Sequence, residues 1–254
     1  MTACKTFRIG IPVYDGVDLL DVSVPFELFN WMATIEPGLA PDAPKRKVEL
    51  VSLDGASVTT RDGMMLGHEL PQLHDCEPFD LIWVPGGDPT RLQQLMLSRD
   101  FRELLARHGA LARHVCSVCE GALLLASAGL LDGYRATTHW AFIACLKMFP
   151  AIKVADCYPR FVIDRNRVTG GGISSGLDEA LAVIAMVSSD TVAKKVQLTV
   201  QYHPDPPFNY GDPGVARPPI YTPGEDAHCA ISGMADTIRQ LLANGTGQVA
   251  GQKA

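Results

Sequence analysis

This chain of 254 residues lacks the sequence signals of membrane, secreted and nucleic-acid-binding proteins. No stretch approaches 18 uncharged apolar residues, and no apolar segment precedes the first predicted strand. The formal net charge is −6 without any basic run, which argues against nucleic acid as a partner. We therefore expect a cytoplasmic protein with no signal peptide, no membrane partner and no nucleic-acid partner.

The residue spacings of disulfide frameworks and metal sites are also absent. The seven cysteines form no regular pattern, and their one close pair, Cys116 and Cys119, lies in a predicted buried strand and at its end. We interpret this pair as accidental and expect reduced thiols. The seven histidines form no His-x-x-x-His or His-Glu-x-x-His pair. The sequence therefore predicts no metal site, and it predicts chemistry without a cofactor.

What the chain does contain is an alternation of short β-rich runs with helical runs. The predicted strands cover residues 8–14, 47–53, 81–84, 114–118, 160–164 and 167–169. The predicted helices cover residues 24–33, 90–108, 120–128, 139–148, 176–188 and 226–242. This order is typical of a flavodoxin-like α/β fold, in which helices cover both faces of a mostly parallel sheet. Such sheets bind ligands at the carboxyl ends of their strands.

The composition divides the chain into a main part and a C-terminal extension. Residues 1–202 are predicted to form one α/β domain. Residues 203–224 are rich in proline and are predicted to form a long loop. We expect this loop to line the pocket or to cross a partner subunit, and we expect residues 203–254 to pack on the same domain through their helix. Residues 36–47 are predicted to form a surface loop.

Cys119 is the most informative residue of the sequence. It follows the β-type run Val115–Val118 and precedes Glu-Gly and an alanine- and leucine-rich helical run. This arrangement is the cysteine analogue of the Gly-x-Ser-x-Gly nucleophile elbow, a tight strand-to-helix turn that presents a reactive side chain. Because the N-terminus of the following helix would stabilise an anion, we expect the pKa of Cys119 to be lowered. A buried, inert cysteine is the alternative.

Three other loops are expected at the same edge of the sheet. Asp21 lies among apolar neighbours before the first helix, either as a helix cap or as a functional carboxyl group. Gly87 belongs to a Pro-Gly-Gly turn, whose backbone N–H groups could face an oxyanion. The third loop, Thr169-Gly-Gly-Gly-Ile-Ser-Ser-Gly176, lacks the lysine of a phosphate-binding loop. His139 begins a predicted helix, where it either approaches the thiol or has a structural role.

In their order and chemistry these loops resemble the DJ-1/PfpI superfamily over roughly residues 7–200. The matching segments are Asp18-Leu-Leu-Asp-Val-Ser-Val-Pro25, Asp80-Leu-Ile-Trp-Val-Pro-Gly-Gly87, Ser117-Val-Cys-Glu-Gly-Ala122, Ala128–Trp140 and Thr169–Asp178. Within the superfamily the segments Ala128–Trp140 and Thr169–Ile173 look like isocyanide (isonitrile) hydratases and like the sensor half of AraC-type regulators.

The hydratase resemblance implies a role for each matching residue. Cys119 would be the nucleophile and Asp21 the acid that exchanges a proton with it. Backbone N–H groups near Gly87 and Glu120 would stabilise an anion, and Gly172 and Ile173 would lie beside them, with His139 as a further substrate-binding candidate. The hydratases carry threonine where this chain has Glu120, and we expect the Glu120 side chain to point away from the thiol.

The resemblance also implies a homodimer and a small-molecule substrate. The predicted reaction is hydration of an isocyanide to an N-substituted formamide. After Pro223 only one helix without a basic face is predicted, so we expect no DNA-binding module there. Peptidases of the superfamily have histidine where this chain has Glu120, which disfavours that activity. The remaining alternatives are a cysteine-based redox or ligand sensor and a glyoxalase- or deglycase-like activity on small dicarbonyls.

Overall fold

A computed structural model describes residues 6–216 and 229–245 of the chain. Its main sheet has six strands in the order β2-β1-β5-β6-β10-β9. These strands are β1 (Thr6–Pro12), β2 (Lys45–Val51), β5 (Leu81–Val84), β6 (His114–Ser117), β9 (Phe161–Asp164) and β10 (Arg167–Gly170). All neighbouring pairs are parallel except β9 and β10, so the predicted mostly parallel α/β fold is confirmed.

Eight helices surround the sheet in the described part of the chain. They are α1 (Leu19–Leu39), α2 (Pro89–Leu97), α3 (Arg99–Leu111), α4 (Gly121–Ser127), α5 (Ile143–Leu146), α6 (Ser175–Val187), α7 (Asp190–Thr199) and α8 (Met234–Ala243). Helices α1, α6 and α7 contact one another, whereas α2, α3, α4, α5 and α8 form a second group. No helix of the described residues has the length and apolar character that crossing a membrane requires.

Two small sheets lie outside the main sheet. Strands β3 (Ala56–Thr59) and β4 (Met65–Glu69) form an antiparallel hairpin, and β7 (Arg135–Ala136) pairs with β8 (Lys153–Val154). The sequence analysis missed the hairpin because its strands are largely exposed and carry little apolar pattern to predict them. This omission matters, because the turn of the hairpin carries a residue of the site.

Several predicted elements need correction, among them the helix predicted over residues 139–148, of which only Ile143–Leu146 is α-helical. The single helix predicted over residues 90–108 is two helices, because Ser98 has extended backbone angles and its side chain accepts a hydrogen bond from Phe101 N–H as the cap of α3. The loop predicted over residues 36–47 is shorter, since α1 continues to Leu39 and β2 begins at Lys45. Helix α7 was not predicted.

Helix α1 continues through Pro25, which has no N–H to donate to the carbonyl of Asp21. The indole N–H of Trp83, at the centre of β5, donates to that carbonyl oxygen at 3.1 Å instead. Trp83 is fully buried and packs edge-on against Phe29 of the same helix. A contact between helix and sheet therefore compensates for the proline and fixes the first turn of α1, which carries Asp21.

The C-terminal helix α8 contributes Met234, Ile238 and Leu241 to the main hydrophobic core. A disulfide joins Cys145 of α5 to Cys229, just before α8. The expectation that all thiols are reduced is therefore wrong for these two cysteines, which lie 84 residues apart and show no motif spacing. Residues 217–228 and 246–254 lie outside the described residues, so part of the predicted loop 203–224 and the start of the predicted helix 226–242 do too.

Candidate active site

Four loops converge at the carboxyl ends of the central strands. The loop after β1 leads into α1 and Asp21, and the loop after β5 contains Gly86 and Gly87. Cys119 follows β6, and Gly172 follows β10. Since these strands are parallel neighbours, their carboxyl ends meet at one edge of the sheet, where the sequence analysis placed the site.

Cys119 occupies a tight turn between β6 and α4. Its φ of 57° is in the left-handed region, which is uncommon for a residue other than glycine and is held here by two backbone contacts. The Cys119 N–H donates to Gly171 O at 2.9 Å, and the hydroxyl of Thr138 donates to Cys119 O at 2.8 Å. A Cβ at Gly121 would collide with Val84 O, which explains the glycine two residues after the cysteine.

Asp21 is fixed in the first turn of α1 and faces the thiol. Its Oδ2 accepts a hydrogen bond from Gly86 N–H at 2.9 Å, whereas its Oδ1 is buried without a hydrogen-bond partner. Gly86 must be glycine, because a Cβ there would collide with the carboxylate of Glu120 and lie 2.9 Å from Cys119 Cβ. The turn after β5 therefore holds Asp21 and makes room for a second carboxyl group.

The site is a compact group of four acidic side chains, which we call the acidic cluster: Asp18, Asp21, Cys119 and Glu120. One oxygen or sulfur atom of each lies within 4.8 Å of those of the other three, and all four residues are buried. Arg61, in the turn between β3 and β4, pairs with Asp18 Oδ1 at 2.9 Å. A single guanidinium thus balances at most one of the four potential negative charges.

Burial and mutual repulsion raise the pKa values of this cluster. The pKa of Cys119 is raised well above its ordinary value by burial and by the charges of Asp21 and Glu120. The expected lowering of that pKa is therefore wrong, because these effects outweigh the N-terminus of a short helix. Burial and the Glu120 charge likewise raise the pKa of Asp21 well above its usual range, and burial raises the pKa of Glu120 to about 7.

The Glu120 side chain points toward the thiol, so the prediction that it turns away is wrong. An oxygen of its carboxyl group lies within 4.8 Å of the Cys119 sulfur, as does an oxygen of Asp21, and the Glu120 carboxyl group also interacts with its own backbone N–H. Oε1 lies 3.9 Å from His139 Nδ1, and Oε2 is buried without a hydrogen-bond partner. The backbone N–H that we assigned to an anion site therefore faces the carboxyl group of the same residue.

The other predicted site residues surround this cluster. Gly87 forms a backbone bridge with Val17, and a Cβ there would lie 2.5 Å from Gly16 O. Gly172 lies against the ring of His139. The Nδ1 of His139 accepts from Ala141 N–H at 3.3 Å, and burial and the Arg61 charge lower the His139 pKa to about 4. His139 is therefore neutral at pH 7, and the substrate-binding roles of these residues stay predictions.

A cavity of about 340 Å³ adjoins the acidic cluster. Its walls include Trp140, Tyr158, Pro159, Ile173 and the backbone of Gly171 and Gly172, with His139 on the side of Glu120. Pro213, from the proline-rich segment, closes another side. Arg160 also lines the cavity, but its guanidinium is already paired with Asp178 and Ser174 O. The cavity therefore offers apolar and aromatic surface, the polar side chains of Thr138, Ser174 and Ser175, and a cation whose charge is compensated.

The sequence analysis did not single out three residues that complete the site. Asp18 lies three residues before Asp21, one helical turn away, and this spacing could have identified it. The pKa of Tyr14 is raised by burial and by the nearby charges of Asp21 and Glu120, and its hydroxyl donates to Pro85 O at 2.9 Å. Arg61 had no sequence signal, because the hairpin that carries it was not predicted.

Carboxylate and thiolate groups can bind a cation as well as a proton, and the atoms of the acidic cluster are close enough for either. No histidine belongs to the group within residues 6–216 and 229–245. The thiol, the protonatable carboxyl groups and the adjoining cavity together suit nucleophilic chemistry with proton transfer on a small molecule.

Comparison with known proteins agrees with this geometry. The DJ-1/PfpI family model matches residues 7–186. A protein named isonitrile hydratase from Pseudomonas putida is 37% identical over 209 residues, which cover 82% of this chain and 84% of that protein. The crystal structure of a THiJ/PfpI family protein from Pseudomonas syringae superposes with a TM-score of 0.73 at 31% identity, covering 82% of this chain and 80% of that one.

Regulators are a second group of relatives. The HTH-type transcriptional regulator GbdR of Pseudomonas aeruginosa is 32% identical over 190 residues, which cover 70% of this chain. The chain spans only 49% of the length of that regulator. The likeness is thus limited to part of the regulator, and family membership alone does not decide between enzyme and sensor.

Proposed function

The chain belongs to the DJ-1/PfpI family, and from this premise we propose that it hydrates an isocyanide to an N-substituted formamide. The observation that carries the proposal is the position of the Cys119 thiol among buried carboxyl groups, next to Gly171 and His139 of a cavity wall. The reaction needs one nucleophile and a nearby acid, and the acidic cluster contains both.

The proposed reaction begins with a protonated Asp21. Asp21 donates its proton to the terminal isocyanide carbon while the sulfur of Cys119 bonds to that carbon, and the thiol proton passes back to Asp21. The product is a thioimidate, in which the former isocyanide carbon carries one hydrogen. Water then adds to this carbon, the carbon–sulfur bond breaks, and the formamide leaves while the thiol reforms.

The raised pKa values suit this sequence of steps. A protonated Asp21 is an acid at neutral pH, as protonation of carbon requires. A thiol that keeps its proton at rest is protected from solvent oxidants, and it becomes a nucleophile when the carboxyl groups accept that proton. The cavity lined by Trp140 and Ile173 would hold the organic group on the isocyanide nitrogen.

The direct test is formamide production from simple alkyl and aryl isocyanides. We expect the wild type to produce formamide and Cys119→Ala to fall to the uncatalysed rate, since no other nucleophile lies in the acidic cluster. Cys157→Ala, at an exposed free cysteine, is the matched control and should retain the wild-type rate. Absence of formamide with every isocyanide tested would overturn the proposal.

A sensor is the second candidate function, because a regulator is among the relatives. The raised pKa of Cys119 argues against fast oxidation, since the thiolate is the form that reacts with peroxide. A glyoxalase- or deglycase-like activity is tested in the same assay by following methylglyoxal consumption. Methylglyoxal consumption without formamide production would favour that activity.

Dimerisation stays a prediction of the family resemblance, and a cytoplasmic location stays a prediction of the sequence. Large apolar side chains are exposed at Leu198, Phe208 and Tyr210, near or within the proline-rich segment. A second subunit would cover such surface. Light scattering at micromolar concentration should give the mass of a dimer, and a monomer mass would contradict this prediction.

A further inference from the structure

We propose that Glu120 is a second catalytic carboxyl group, which takes a proton from the water that cleaves the thioimidate while Asp21 protonates carbon and nitrogen. This inference rests on the proposed hydration and divides its two proton transfers between two residues.

The geometry distinguishes the two carboxyl groups. Asp21 is held on the inner side, where Gly86 N–H donates to its Oδ2 and Trp83 donates to its backbone carbonyl. Glu120 has no such clamp on Oε2, and its Oε1 faces His139, a wall of the cavity. The hydrogen bonds of Asp21 run to Gly86 and Trp83, which do not line the cavity, whereas Glu120 lies 3.9 Å from His139 of the cavity wall, so we place the attacking water on the Glu120 side.

The surrounding charges also separate the roles. The groups that face Glu120 are Cys119, Asp18, Asp21, Tyr14, Arg61 and His139. Among these, Arg61 is the one permanent cation, and it pairs directly with Asp18. Burial and the Glu120 charge raise the pKa of Asp21 well above its usual range and so favour its protonated form, which suits Asp21 to be the acid.

His139 is the other group on the cavity side that could take the water proton, but it is too weak a base. Its pKa is lowered to about 4, whereas that of Glu120 is raised to about 7. A difference of about three pKa units makes the Glu120 carboxylate roughly a thousandfold stronger base. At neutral pH about half of the Glu120 groups are ionised, which is a favourable condition for general-base catalysis.

The water step balances with these two groups. The water oxygen bonds to the thioimidate carbon, one water proton moves to Glu120, and the C=N electron pair moves to nitrogen, which takes the Asp21 proton. The new hydroxyl then returns a proton to Asp21 as its C=O bond forms. The carbon–sulfur bond breaks, sulfur takes the proton from Glu120, and both carboxyl groups regain their starting states.

The test is to trap the thioimidate in Glu120→Gln, with a chelator present so that no bound cation contributes. After mixing with an alkyl isocyanide, intact-protein mass spectrometry should show an adduct equal in mass to the isocyanide on Cys119. Its hydrolysis should be slower than in the wild type by a factor of about 100 or more. Asp21→Asn should instead fail to form the adduct at a comparable rate. Circular dichroism and a thermal midpoint would verify that each variant is folded.

The pH profile gives a readout that a merely structural role would not change. Hydrolysis of the adduct by the wild type should accelerate as pH rises through about 7, as Glu120 ionises. Glu120→Gln should lose this limb of the profile, and Glu120→Asp should restore part of it. Glu179→Gln, at a buried carboxyl group outside the acidic cluster, should keep the limb.

Each outcome bears on a different part of the proposal. If Glu120→Gln hydrolyses the adduct at the wild-type rate with the same pH limb, Glu120 is not the base and the hydration itself still stands. If Glu120→Gln forms no adduct while Asp21→Asn accumulates it, the two roles are reversed and the inference is wrong. If the wild type forms neither adduct nor formamide, both the inference and the proposed function are overturned.

Discussion

Two buried acidic regions of this protein differ in how their carboxyl groups are neutralised. Glu36 in α1 receives two hydrogen bonds from the guanidinium of Arg46 in β2, at 2.6 and 2.8 Å, and both side chains are only 3% exposed. Asp21 and Glu120 are equally buried, but each has an oxygen without a hydrogen-bond partner. One region is a completed ion pair, and the other holds more acidic groups than cations.

The difference fixes what each carboxyl group can do. Burial raises the pKa of Glu36, but hydrogen bonds from Arg46 and Ser188 and the Arg46 charge outweigh this effect and lower it. Glu36 therefore stays ionised and stabilises the contact between α1 and β2. Glu120, without such a partner, has a pKa of about 7 and can exchange a proton near neutral pH. A buried carboxyl group is structural or catalytic according to its partners.

Breaking the completed pair should have the largest effect on stability. Glu36→Gln leaves the buried Arg46 charge uncompensated and should lower the free energy of unfolding by about 3–5 kcal/mol, measured by urea denaturation. Arg99→Gln, which removes an exposed ion pair with Glu103, is the control and should leave the denaturation midpoint unchanged. The activity per folded molecule should not change in Glu36→Gln, and a large loss there would contradict the division between the two regions.

The same pair also predicts the sign of a pH effect. Because the folded-state pKa of Glu36 is lowered, its contribution is present above the unfolded pKa of about 4.3 and is lost as pH falls through the folded value. The difference in stability between wild type and Glu36→Gln should therefore shrink below about pH 4. A difference in stability that stays constant down to pH 2 would show that the pKa of Glu36 is the same in the folded and unfolded states.

Replacing Asp21, in the region that holds more acidic groups than cations, should affect turnover instead of stability. Asp21→Asn retains the shape of the side chain but cannot transfer a proton, and should lower formamide production by about 100-fold, or about 2.7 kcal/mol. Its free energy of unfolding should not fall, since Asp21, with its raised pKa, must take up a proton when the chain folds at neutral pH and asparagine does not. Asp190→Asn, at an exposed position of α7, is the matched control. A wild-type rate in Asp21→Asn would remove Asp21 from the mechanism while leaving Cys119 in place.

Glu179 is a third buried carboxyl group, and replacing it should have the smallest of these effects. This α6 residue is fully buried, neither carboxylate oxygen has a hydrogen-bond partner, and burial and the Asp21 charge raise its pKa well above the usual range. The folded state keeps a proton that the unfolded chain loses above about pH 4.3, so this group reduces stability as pH rises.

Replacing that group should therefore stabilise the protein. Glu179→Gln should raise the free energy of unfolding by roughly 1–3 kcal/mol at pH 7, and by less at pH 5. Thermal denaturation at the two pH values measures the difference, with Glu103→Gln on the surface as the control. Destabilisation at pH 7 would mean that Glu179 has polar partners that the amide cannot replace.

Several elements of the fold were predictable from local patterns. The apolar run Leu81–Val84 is a buried central strand with the predicted bounds, because four consecutive apolar residues between turn signals suit a strand covered on both faces. The turn at Cys119 was predictable from a β-type run followed by Glu-Gly and alanines. Helix α1 was predicted over residues 24–33 but runs from Leu19 to Leu39, and the hydrogen bond from Trp83 that compensates for Pro25 comes from a distant strand that local patterns do not show.

The sequence by itself determined the order of the main-sheet strands along the chain, the mostly parallel sheet and the strand-to-helix turn that carries Cys119, but not the β3–β4 hairpin or helix α7. Only the tertiary structure decided the ionisation of that site. It brings Asp18 and Asp21 within 4.8 Å of Cys119 and Glu120, about a hundred positions later, and adds Arg61 from an unpredicted hairpin. Secondary structure follows from neighbours along the chain, whereas a pKa depends on burial and on charges nearby in space. For that reason the sequence located Cys119 at the turn but gave the wrong direction for its pKa and for the Glu120 side chain.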